Sequence, residues 1–154
     1  MSFNLGNKGE KIWYDHIKTS HTNIESAPNK KFYDWDLKGE VSGRVITYEV
    51  KFDNSGYYYA RKRKKPVNLY IEFKNTNKDE DSGILASKAT YYVYMLSNND
   101  TIEIYVFDRL QLLQRLQGKG FIIKGNKTGG DNNALGWLPP LLELKDIILK
   151  KIVK

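Results

Sequence analysis

A chain of 154 residues, 40% hydrophobic and 28% charged, is sized for one globular domain with a real core and is not a disordered tail. With no cysteine and only two histidines, His16 and His21, it excludes disulfides and thiolate or histidine-rich metal sites, leaving carboxylate-held Mg²⁺ or Mn²⁺. The formal charge of +7 points to a polyanionic partner, and the lack of a signal-like apolar core or bilayer-length run predicts an intracellular, cytoplasmic protein without a membrane partner.

The first predicted helix runs from Gly9 to about Thr19, with Glu10, Trp13, Tyr14 and Ile17 on one stripe. A polar loop, HTNIESAPNK, leads to the strand KFYDWDLKG, and the turn EVSG joins it to GRVITYEVKFD as an antiparallel hairpin. NSGYYYARKRKKP reads as a basic, aromatic loop or short helix ended by Pro66, followed by the strand VNLYIEFKN and a polar loop. ILASKA forms a helical turn, and YYVYML and TIEIYVF are strands. DRLQLLQRLQGKG is a helix capped by Asp108, with Leu110, Leu113 and Leu116 on one stripe. FIIKG is a short strand, GNKTGGDNN a glycine-rich loop without the spacing of a phosphate-binding Walker loop, and LLELKDIILKKIVK a basic terminal helix. The order predicts an α+β fold, a central mixed sheet flanked by helices in a single domain, residues 1–154.

Strand parity supplies the functional clue, because successive side chains point to opposite faces. Asp34 and Asp36 oppose Tyr33, Trp35 and Leu37; Glu49, Lys51 and Asp53 oppose Ile46, Tyr48, Val50 and Phe52; Glu72 opposes Ile71 and Phe73. Five acids gathered on neighbouring strands of a basic protein repel one another and invite a cation. Parity alone equally fits a solvated outer face. Glu10 adds weight to the first reading, because a carboxylate on the core stripe of a helix is costly to bury unless paired or metal-bound.

Glu10 on a helix, Asp34 in FYDWD and Glu49-Val50-Lys51 in YEVKFD, followed by NLYIEFKN, SGILASKATYYVYM and GGDNNALGWLPP, resemble the PD-(D/E)XK nuclease superfamily. Within it, the pattern is similar to the phage and prophage branch that includes small Holliday-junction resolvases. Tyr33 stands where the family name promises proline, and Asp36 can substitute for Asp34. The resemblance implies a restriction-endonuclease-like core and Mg²⁺- or Mn²⁺-dependent hydrolysis of DNA, with a metal held by Asp34, Glu49 and the Val50 carbonyl. Lys51 would orient or deprotonate the water and stabilise the phosphate, Glu10 would support the metal or its water, and Asp36, Asp53 and Glu72 would stand behind them. It also implies a phage-encoded protein acting in the host cell, and a homodimer if two symmetric strands are cut.

The stretch of Tyr57, Tyr58, Tyr59, Arg61, Lys62, Arg63, Lys64 and Lys65 mixes three tyrosines with five cations, suited to neutralising phosphates and stacking on bases; Lys88 is a further candidate phosphate contact. Two other readings use the same residues: a non-catalytic nucleic-acid-binding module with a solvated acidic face, and a phage structural or assembly protein.

Overall fold

The computed structural model describes residues 8–29, 31–128 and 132–154. The elements in chain order are α1 (Lys8–Ile17), β1 (Thr22–Ser26), β2 (Leu37–Val41), β3 (Arg44–Asp53), α2 (Gly56–Arg63), β4 (Ile71–Asn75) and β5 (Glu80–Asp81). There follow α3 (Gly83–Ala86), β6 (Tyr91–Asn98), β7 (Thr101–Asp108), α4 (Arg109–Gly118), β8 (Ile123–Thr128), β9 (Asn132–Trp137), a 3₁₀ helix (Leu141–Ile147) and β10 (Ile148–Val153). The fold is α+β: a mixed six-stranded sheet, β1-β2-β3-β6-β7-β10, with a second sheet, β5-β4-β9-β8.

β6 and β7 are apolar on both faces and, with the apolar face of β3, fill two cores by simple alternation. Tyr48, Val50, Val93, Met95, Ile104 and Val106 pack with Trp13 and Ile17 of α1. Tyr92, Tyr94, Leu96, Tyr105 and Phe107 pack on the other side with Ala60 of α2, Ile71 of β4, Ile84 of α3, Leu112 and Leu116 of α4 and Trp137 of β9. The β2–β3 hairpin turns at Ser42-Gly43, both with positive φ (51° and 76°), which matches the twist of the strands. β3 and β6 run parallel, so residues 54–90 must cross between them, and this crossover carries α2, β4, β5 and α3 over the second face.

Several sequence expectations are corrected by this topology. Residues 31–36 are not a strand: Phe32 and Trp35 pack edge-to-face at 4.9 Å, and the ladder begins at Leu37. The polar stretch HTNIESAPNK contains β1, anchored by buried Ile24. NLYIEFKN supplies β4 of the second sheet and is no neighbour of β3. Asp108 does cap α4, accepting from the Gln111 N–H at 2.9 Å, but the buried stripe is Leu112 and Leu116, and Leu110 is 59% exposed. The glycine-rich segment contributes to a β8–β9 hairpin, and Gly129–Asp131 lie outside the described residues. The terminal helix is instead a 3₁₀ turn and a strand, because the β-branched run around Ile147, Ile148, Ile152 and Val153 pairs with the open edge of β7. The basic stretch at 57–65 takes the helical option: α2 ends at Lys64, whose φ of 55° forms a left-handed cap.

Gly83 fixes how the crossover lies on the sheet. Its φ is +51°, and a Cβ there would stand 2.2 Å from the Glu72 carbonyl oxygen, so α3 meets β4 backbone to backbone. Gly83→Ala is expected to destabilise the protein by about 2 kcal/mol, lowering the melting temperature by roughly 4–8 °C. Thermal denaturation followed by circular dichroism checks this; an unchanged melting temperature would contradict the contact.

Candidate functional site

The parallel β3–β6 register aligns Glu49 with Tyr92, Lys51 with Tyr94 and Asp53 with Leu96. Because Tyr92, Tyr94 and Leu96 belong to the core beneath the second sheet, the charged face of β3 is roofed by protein and is not a solvated outer surface. Extending the β2–β3 ladder one step beyond the Leu37–Tyr48 pair sets Asp36 opposite Glu49. Asp36 is held by two backbone links: its N–H donates to the Tyr48 carbonyl and its Oδ2 accepts from the Val50 N–H, each at 2.8 Å. Glu10, 7% exposed in the first turn of α1, hydrogen-bonds through its carboxyl group to that of Asp36.

Burial dominates the ionisation of this cluster. It pushes the Asp36 carboxyl up to about 7; the Val50 N–H works against the shift, while the charge of Glu10 and the hydrogen bond to it add to the rise. Glu49 is raised well above the usual carboxylate range by burial and by the charge of Asp36, with Glu10 adding to the rise and Ser87 and Arg109 opposing it. Ser87 lies between two acceptors, the Asp34 carbonyl at 3.3 Å and the Glu49 carboxylate, and its single proton serves one at a time. Arg109, at the start of α4, donates to the Ala89 carbonyl at 2.7 Å, and its guanidinium is near enough to act on Glu49. Tyr92, fully buried, is shifted upward by burial and by Glu49, Glu72 and Asp36, so these three acids act on one hydroxyl.

Two clefts open on either side of Lys51. One, of about 290 Å³, is acidic and lined by Glu49, Lys51, Glu72, Glu80, Asp81 and Ser82. The other, of about 510 Å³, carries Arg63, Lys124, Tyr59 and Tyr70 together with Lys51. Lys51 is half-buried, and its ammonium makes no hydrogen bond or ion pair among the described residues.

The remaining candidates separate into distinct roles. Asp34 contributes its backbone: its carbonyl accepts from the Lys88 N–H at 2.8 Å and from Ser87, pinning the segment before β6. The Asp36 carboxylate, not that of Asp34, is the one beside Glu49 and Glu10, and Lys88 is exposed at its side chain. Asp53 is consumed structurally: Oδ1 accepts from the N–H groups of Ser55 and Gly56 at 2.9 Å each, and Oδ2 accepts from the Tyr94 hydroxyl at 2.6 Å, fixing the start of α2. Glu72 faces Glu49 across the acidic cleft from the second sheet. On α2, Tyr57 is turned inward and donates to Glu103 at 2.6 Å, so it is no free stacking platform. Tyr58 and Tyr59 are 56% and 52% exposed, and Arg61, Lys62, Arg63, Lys64 and Lys65 are exposed as well. Ser87, Arg109 and Tyr92 escaped sequence reasoning, since only the β3–β6 and β6–β7 pairings bring them to Glu49.

Comparison with family models, with curated proteins and with solved structures returns no match for this chain. The donor set itself can be tested against a hard cation. Among the described residues no three carboxylate or imidazole groups stand close enough together to form a ready-made metal cage. Glu10, Asp36 and Glu49 nonetheless act on one another electrostatically, Asp36 more strongly on Glu49 than Glu10 does. Mg²⁺ commonly takes only one or two carboxylates and fills its shell with water and phosphate oxygens, which Asp36, Glu49 and the Val50 carbonyl would suit. Two partly buried carboxyls biased towards protonation, Asp36 and Glu49, are the groups such an occupant would satisfy.

Because Asp36 and Glu49 bind protons more tightly folded than unfolded, the folded state carries more protons between about pH 4 and 7, and stability falls as pH rises through that window. In EDTA the melting temperature is therefore expected to decline from pH 4.5 to 7.5, and Asp36→Asn to flatten the decline. A profile as steep in Asp36→Asn as in the parent would contradict the assignment.

Proposed function

We propose that the protein is a metal-dependent endonuclease that hydrolyses DNA phosphodiester bonds at the Glu49–Lys51 edge of β3, a PD-(D/E)XK-type chemistry. The observation that carries the reading is the meeting of partly desolvated Asp36 and Glu49 with a Lys51 that has no ion pair among the described residues and lies between an acidic and a basic cleft, in a chain of net charge +7. Asp36 and Glu49, with the Val50 carbonyl, would hold Mg²⁺ or Mn²⁺, which supplies Lewis acidity and a water of lowered pKa. Each carboxyl must give up its proton before it can hold the cation, so binding releases protons and improves with pH.

Glu10 orients Asp36 through their hydrogen bond, and Arg109 and Ser87 steady Glu49; these are positioning residues. Lys51 presents a compact positive charge to the phosphate as negative charge develops on its oxygens. Water adds to phosphorus and gives up one proton to solvent, the P–O bond to the leaving strand breaks, and the leaving oxygen takes a proton from solvent. The acids that would repel DNA, Glu72, Glu80 and Asp81, sit on the cation's side of Lys51, while the exposed cations of α2 stand on the other.

Supercoiled plasmid incubated with Mg²⁺ or Mn²⁺ should be nicked or linearised, and EDTA should abolish this. Glu49→Ala and Lys51→Ala should lose activity by on the order of 100-fold or more. Asp36→Asn should fall with them, while Asp34→Asn, which keeps the backbone carbonyl, should stay near the parent. No cleavage with either metal, alongside retained DNA binding on a gel, would replace this reading with that of a binding module.

A further inference from the structure

The cleft on the basic side of Lys51 has its own chemistry. We infer that it is a nucleotide subsite that receives one unpaired nucleotide of a DNA strand lying next to the cleaved phosphate. The inference rests on the proposed phosphodiester chemistry for its orientation, and on the cleft alone for its existence. At about 510 Å³ it falls in the range of small-molecule sites, and its walls bring aromatic, amide and cationic groups together.

Tyr59 and Arg63 stand four residues apart on α2 and so share one helical face on the cleft. Tyr70 lines the same cleft from the segment leading to β4, and its ring is pinned. Its hydroxyl donates to the Ala134 carbonyl at 3.3 Å, its N–H donates to the Tyr94 hydroxyl at 2.9 Å, and a Cβ on Gly136 would stand 2.7 Å from the ring. A rigid ring and a half-exposed ring across an open cleft make a stacking site for a base. The amides of Asn54 and Asn68 also line it and make no side-chain hydrogen bond among the described residues, leaving donors and acceptors for a base edge.

The charge balance fits a phosphate-bearing ligand. Lys51, Arg63 and Lys124 line the cleft with no ion pair of their own among the described residues. The one carboxylate in the wall, Asp53, is saturated by Ser55, Gly56 and Tyr94. A paired base presents its edges to its complement and its faces to its neighbours, so only an unpaired nucleotide can enter. The substrate class that follows is DNA with a locally unpaired strand, and not continuous duplex.

Binding in EDTA tests the subsite without any cleavage. The full chain is titrated into three fluorescent probes: a continuous duplex, the same duplex with one unpaired 2-aminopurine nucleotide, and a single strand; free thymidine monophosphate is the competitor. The unpaired probes should bind about tenfold or more tightly than the duplex, with a change in 2-aminopurine emission. Tyr59→Ala and Asn68→Ala should each remove most of that preference while leaving duplex affinity nearly unchanged, and Tyr59→Phe should restore it. Equal affinity for the three DNAs, or preference untouched in both variants, would overturn the subsite. Competition by thymidine monophosphate as strong as that by the single strand would also overturn it, in favour of a free nucleotide. Preference without metal-dependent cleavage would sustain the subsite and remove the nuclease reading; cleavage without preference would do the reverse.

Discussion

The parallel pairing of β3 with β6 is the constraint on which the rest of the molecule depends. It is the one parallel pair among the described strands, and a parallel neighbour cannot be reached by a tight turn. Residues 54–90 must leave the sheet and return, and in doing so they lay α2, β4, β5 and α3 over the face that carries Glu49, Lys51 and Asp53. A purely antiparallel meander would have left that face to solvent, where charged side chains are unremarkable. Under a roof, Glu49 and its neighbour Asp36 are partly withdrawn from water, and desolvation is the first cause of their raised pKa values.

The roof divides the charge as well as covering it. β4, β5 and the start of α3 bring Glu72, Glu80, Asp81 and Ser82 to one side of Lys51, and α2 brings Tyr59 and Arg63 to the other. Acids alone would repel a polyanion, and cations alone would bind it without chemistry. Placed back to back with a shared lysine, they suit the two halves of a phosphodiester reaction: a cation beside the phosphate and a neutralised backbone leading to it. Under the proposed reading, the small second sheet is therefore a working part of the site and not an ornament on the fold.

How much of this was legible in the sequence follows from the range of each interaction. Alternation in ITYEVKF set the two faces of β3, and helical spacing placed Glu10 on the buried stripe of α1; both depend on neighbours within a few residues. The choice between Asp34 and Asp36 was not legible, because it turns on where β2 begins. FYDWDL alternates like a strand, yet Phe32 and Trp35 satisfy each other and the ladder starts at Leu37. The terminal strand was misread for a similar reason: leucines at helical spacing compete with β-branched residues, and the open edge of β7 decides. Ser87 and Arg109 carry no local signal at all, being brought to Glu49 by strands more than thirty residues away in the chain.

Asp53 shows how one strand organises the whole site. Along β3, side chains on one face recur about every 6.7 Å, so Glu49, Lys51 and Asp53 are three evenly spaced posts. The first faces the acids, the second stands between the clefts, and the third is bound by Ser55, Gly56 and Tyr94 at the start of α2. That last post sets where the basic helix leaves the sheet, and Tyr57 fixes its rotation by donating to Glu103 of β7. Tyr59 and Arg63 are consequently held at a set distance and angle from Lys51, instead of waving on a loop. An acid that parity groups with Glu49 thus does different work: it makes a cationic helix a rigid extension of the strand that carries the candidate site.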